Sequence, residues 1–103
     1  MKRVLNRKLY DTDRAEQIAQ YAPHPDRWDI QFLVETLYKT ADEEYFLHCR
    51  VVAVSEYVTT IEGGRTVEEE LIVLDEEAAL DWCEEHAIDG GIVIDEFEEL
   101  VET

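Results

Sequence analysis

Between Ile30 and Lys39 the chain alternates, with Ile30, Phe32, Val34, Thr36 and Tyr38 on one face and Gln31, Leu33, Glu35, Leu37 and Lys39 on the other. A period of two is the pitch of a β-strand. Ala41-Asp42-Glu43-Glu44 then reads as a turn, and a second β-rich run follows from Tyr45 to Val54, so the two runs are expected to pair as an antiparallel hairpin. A third run, Glu56 to Ile61, meets Gly63-Gly64, which can supply the positive φ angles of a tight turn, and a fourth spans Val67 to Leu74. Ahead of these, Val4-Leu5 and Leu9-Tyr10 frame a short basic segment that suits an edge strand or a hairpin.

Elsewhere the period is helical. Asp13 with Glu16 three residues on has the form of a capping box, and Ala15, Ile18, Ala19 and Ala22 recur at i, i+3, i+4 and i+7. This predicts a first helix, stopped by Pro23 and Pro25. A second helix is predicted from Asp75, whose carboxylate can cap free backbone N–H groups, with Glu76 and Glu77 near the positive end of the dipole. Its inward stripe is Ala79, Trp82, Cys83 and His86, and Gly90-Gly91 is expected to end it. Ile92-Val93-Ile94 suits either a short strand or the lead into a last helix whose Ile94, Phe97, Leu100 and Val101 share a face.

The expected fold is α+β, a single domain over residues 1–103. An antiparallel sheet of about four strands carries two or three helices on one face or end. With 46% apolar residues the chain has the composition of a folded domain and not of a disordered acidic tail. No apolar run approaches a membrane span, and MKRVLNRKLYDTD lacks the pattern of a signal peptide, so a cytoplasmic location is expected. Cys49 and Cys83 form no CxxC and read as free buried thiols.

Charge changes this picture more than composition does. The formal net charge is -17, a self-repulsion that some benefit should offset. It is also lopsided: residues 1–50 hold eight Lys+Arg against nine Asp+Glu, whereas residues 51–103 hold only Arg65 against seventeen acids. Direct binding to nucleic acid or to an anionic membrane is opposed by like charge. The natural counterpart is the basic surface of a protein or nucleoprotein complex.

Candidate chemistries are few. Cys83 and His86 stand at i, i+3 on one helix, but His48 and Cys49 are strand neighbours that point to opposite faces, so a four-ligand zinc site is disfavoured. Ser55 is the single serine and lies in no G-x-S-x-G turn, and neither Gly-Gly pair lies in a phosphate-cradling loop. With 26 acids present, neighbouring carboxylates say little about acid–base catalysis. The expectation is a protein without catalytic residues, metal or cofactor.

Three blocks, LNRKLYDTDRAEQIAQY, ETLYKTADEEYFLH and LIVLDEEAALDWCEEH, resemble a family of small uncharacterised proteins of bacteria and their prophages and plasmids. Its members carry a K-L-Y-D-T then A-E-L-I opening, an L-Y-K-T…W-F-L-H hairpin and a P-L-(S/T)-E-E-E-A-L-E-W-L-E-E-H helix, in this order. The chain departs from the pattern where Tyr45 replaces Trp, where Leu74-Asp75 replaces the Pro-Leu-Ser/Thr entry, and where Val51-Val52-Ala53-Val54 replaces a Gly-rich segment. The resemblance implies no particular activity. It does imply a neighbourhood of mobile elements, in which small acidic proteins are often inhibitors of host nucleic-acid-handling machinery.

The expectation is therefore a surface that imitates nucleic acid, in the manner of an anti-CRISPR protein. Same-face strand residues recur about every 6.6 Å and i, i+4 helix neighbours about every 6 Å, comparable with two nucleotide steps of about 3.4 Å. The expected carriers are Glu68 and Glu70 on a strand, Glu77, Asp81, Glu84 and Glu85 on a helix, and Asp95, Glu96, Glu98 and Glu99 beyond it. Trp28, Tyr45 and Tyr57 are candidate anchors if exposed. The alternative is a halophile-type solvated surface with function elsewhere, in keeping with six Arg against three Lys. A homodimer is a further expectation: Lys2, Arg3, Arg7 and Lys8 can dock on the acidic half of a second copy, or fold back over the chain's own sheet edge.

Overall fold

The computed structural model describes residues 1–22, 31–53 and 65–102. They form six strands and two helices: β1 (Lys2–Leu5), β2 (Lys8–Asp11), β3 (Glu16–Tyr21), β4 (Gln31–Lys39), β5 (Tyr45–Ala53), β6 (Arg65–Leu74), α1 (Glu76–Glu85) and α2 (Gly90–Phe97). β3 to β6 make a four-stranded antiparallel sheet in sequential order, while β1 and β2 form a separate two-stranded sheet. The α+β architecture follows, although the first strand of the sheet lies where a helix was expected. Trp28, Tyr57, the run Glu56 to Ile61 and Gly63-Gly64 lie outside the described residues.

The expected first helix is β3, and the local chemistry says why. Asp11-Thr12-Asp13 does not cap a helix; it closes a turn in which the Asp11 carboxylate accepts from the Asp13 N–H at 2.9 Å and the Asp11 carbonyl accepts from Arg14 and Ala15. Gln17 then pairs with Tyr38 and Ala19 with Leu37, leaving Ile18 as the extra residue of a β-bulge. The bulge breaks the period of two, so Ile18 and Ala19 both join the same apolar cluster. Adjacent apolar residues on one side are what a helix pattern also produces, hence the misreading.

The sheet is buried on both faces. On one, Ala19, Leu37, Tyr45, Leu47 and Cys49 pack against Ala79, Trp82 and Cys83 of α1 and Phe97 of α2. On the other, Phe46 and Leu71 meet Tyr10 of the β1–β2 hairpin, with Met1, Leu5, Ala15 and Tyr38 around them. Tyr10 approaches the Phe46 ring edge-on at 5.5 Å and Tyr38 stacks on it at 5.2 Å. The basic N-terminal segment thus covers a sheet face and not a sheet edge. Lys8 and the Tyr10 hydroxyl both reach Glu44 in the β4–β5 turn and tie the hairpin down.

α1 begins as its sequence predicts, with the Asp75 carboxylate accepting from the Ala78 N–H at 2.7 Å. Its end differs. Ala87, at φ 49°, supplies the left-handed residue, and the N–H groups of Ala87 and Ile88 donate to the carbonyls of Glu84 and Cys83 in a Schellman motif. Gly90-Gly91 instead opens α2, where the Asp89 carboxylate accepts from the Gly91 N–H at 3.0 Å. A Cβ on Gly91 would meet that same carboxylate oxygen at 3.0 Å. Ile92-Val93-Ile94 is therefore helical. The inward row of the C-terminal segment is Val93, Phe97 and Val101, whereas Ile94 and Leu100, at 37% and 40% exposure, lie outside it.

Candidate acidic interface

The cross-sheet register decides which way each acid points. Cys49, which packs under the helices, pairs with Glu70, and Val51 pairs with Glu68. Glu68 and Glu70 therefore project from the helical side, where both are exposed. Glu69 takes the opposite face and meets His48 Nε2 at 3.1 Å. On α1, burial of Ala79, Trp82 and Cys83 turns Glu77, Asp81, Glu84 and Glu85 outward into solvent. Asp95, Glu98 and Glu99 are exposed on and just past α2. Nine of the ten expected carboxylates thus stand exposed on the same side of the sheet.

Glu96 is the exception. One of its carboxylate oxygens accepts from the Tyr45 hydroxyl at 2.5 Å and lies 2.8 Å from Lys39 Nζ. The hydrogen bond from Glu96 holds the Lys39 ammonium above its ordinary pKa. Burial, with the Glu96 bond adding to it, pushes the Tyr45 phenol up as well. Glu96 is a strut between α2 and the β4–β5 hairpin. Tyr45 is 5% exposed, so it anchors the core and not a partner.

Sequence reasoning missed a second polar cluster beneath α1. His86, the C-cap of α1, meets Glu35 of β4 at 3.2 Å, stacks on Tyr21 at 4.1 Å and takes the edge of Trp82 at 5.2 Å. The Cys49 thiol lies 3.8 Å from the other Glu35 oxygen. The alternation that places Glu35 on the Leu37 face was the available signal for this partner. Burial raises the Cys49 and Cys83 thiols to about 11, which leaves them poor nucleophiles and poor metal ligands at neutral pH. Among the described residues no group of three or more His, Cys, Asp or Glu side chains is arranged to hold a metal ion. No described helix is long and apolar enough to cross a membrane.

Comparison with protein-family models, with curated proteins and with solved structures finds no match.

Proposed function

We propose that this protein is a non-catalytic inhibitor or adaptor of a mobile genetic element, a member of the family its three sequence blocks resemble, acting in the cytoplasm of the host cell. Its acidic side occupies a basic groove of a nucleic-acid-handling complex and excludes guide or target, as an anti-CRISPR protein does. The observation that carries this reading is the exposure of nine acids on β6, α1 and the α2 segment, all elements of the helical side of the sheet. Lys39, the described lysine on that side, is already engaged by Glu96. The outward carboxylates stabilise no described contact of the fold, and their self-repulsion opposes folding.

Lys and Arg side chains arrayed for phosphates can meet carboxylates at these spacings, with fast, salt-sensitive association. The test is affinity capture from a host lysate at low and high salt, followed by a nucleic-acid binding assay with the purified complex. One nucleoprotein complex should be retained at low salt and should lose nucleic-acid binding in the presence of the protein. Glu77→Lys, Asp81→Lys and Glu84→Lys together should abolish both effects. Capture indifferent to this charge reversal would refute the reading, as would the absence of any partner.

A further inference from the structure

The β1–β2 hairpin bears an exposed face of its own. Val4, at 66% exposure, and Leu9, at 47%, are cross-strand partners and the two most exposed large hydrophobic side chains among the described residues. They point away from Tyr10, which seals the hairpin onto the sheet. Lys2 shares their face and Arg7 stands at the hairpin tip, both exposed, whereas Arg3 and Lys8 alternate onto the Tyr10 face, where Lys8 meets Glu44. Asn6 and Arg7 form the two-residue loop with φ of 52° and 66°, the pattern of a type I′ turn. Glycine is the favoured second residue of that turn, so Arg7 keeps a cation at the tip against its backbone preference.

An apolar pair flanked by two cations fits an apolar floor flanked by carboxylates. The chain carries such a floor on the other side of its sheet. There Leu33, at 44% exposure, Val51, Glu68 and Glu70 line a hollow of about 430 Å³ to which Glu69 and a single cation, Arg50, also contribute. The two surfaces cannot meet within one molecule, because the sheet stands between them. We propose that the hairpin of one copy docks head-to-tail on the Leu33–Val51–Glu68–Glu70 patch of another copy.

The second copy is favoured over other occupants by charge. A nucleic acid approaching the hairpin meets a molecule of net charge -17. Symmetric pairing of two β6 edges sets the run Glu68-Glu69-Glu70 against itself, which like-charge repulsion opposes. The contact is heterologous, so it can add copies in a chain or close a ring. A hairpin face is smaller than a standard stable interface, so association is weak and rises with concentration. Glu68 and Glu70 also belong to the acidic side proposed to bind a partner, so self-association and partner binding compete.

Sedimentation equilibrium of the purified full chain, without any partner, tests this independently of the function proposed above. The mean mass should rise above 12.0 kDa with protein concentration at moderate salt and return to it at high salt. Arg7→Gly relaxes the left-handed backbone, so it should fold at least as well while associating roughly tenfold more weakly. Arg7→Glu and Glu70→Lys should each be monomeric alone. Mixed, they should associate again, because the intact hairpin of the Glu70→Lys chain meets the intact patch of the Arg7→Glu chain and the two reversed charges attract each other. A wild-type protein monomeric at every concentration would overturn the proposal, as would a mixture that stays monomeric. A rise in mass only on adding a short oligonucleotide would overturn it too, and would mark the hairpin as a nucleic-acid contact.

Discussion

Ala87→Gly should stabilise this protein, although the same substitution inside a helix destabilises. Ala87 closes the Schellman motif of α1 at φ 49° and is exposed, so its methyl contributes little packing. A left-handed conformation costs a residue with a Cβ about 1–2 kcal/mol, and glycine escapes that cost. Against this, glycine loses about 0.4–1 kcal/mol more backbone freedom on folding. The net expectation is a gain of about 0.5–1 kcal/mol. With an unfolding entropy of roughly 2.1 cal/mol/K per residue, a chain of this length should melt about 2–5 °C higher. Ala78→Gly, in the first turn of the same helix, is the control and should cost roughly 0.5–1 kcal/mol. Thermal melts by circular dichroism and urea midpoints would both read the difference. Equal losses for the two variants would refute the left-handed assignment at Ala87, and with it the account of how α1 ends.

Two further outcomes separate the acids that build the fold from those that face outward. Glu96→Ala removes the acceptor shared by Tyr45 and Lys39 and should cost about 1–3 kcal/mol in urea unfolding. Glu98→Ala, exposed and without such partners, should stay within about 0.5 kcal/mol, and equal effects would contradict the strut. Stability should also fall in alkali, because burial holds the Cys49 and Cys83 thiols up at about 11. Above about pH 8.5 the unfolded chain releases thiol protons that the folded chain retains. The contribution is therefore complete below about pH 8.5 and is lost as pH rises through 11, on the order of 3 kcal/mol at most for each thiol. Urea midpoints between pH 7 and 11 would show the decline, and Cys83→Ala should flatten it; a profile unchanged by that variant would count against the buried-thiol origin.

What the sequence made legible follows from how local each signal is. β4 alternates cleanly, β5 follows as a β-rich run across the turn at Thr40–Glu44, and Asp75 announces α1 with a single capping side chain. β3 was illegible because its bulge at Ile18 imitates helical spacing, and because an Asp–x–Asp turn and a helix cap use the same residues. The end of α1 was assigned to Gly90-Gly91 because glycine is the usual left-handed residue, whereas alanine holds that conformation here. Exposure of the acids was readable from helical and strand periods except at Glu96, whose partners come from β4 and β5. A contact between residues 51 positions apart leaves no trace in local spacing.

The sheet with its basic hairpin on one face and its acidic helices on the other gives the molecule a permanent electric dipole along the normal to the sheet. In the field of a basic partner such a molecule experiences torque as well as attraction. It therefore turns its helices forward and its hairpin backward before contact, and fewer collisions are lost to wrong orientations. Moving the same number of charges to an even distribution would preserve net attraction and abolish the torque. For the basic partner proposed above, Lys2, Arg3, Arg7 and Lys8 would act as a steering device even where none of them touches it.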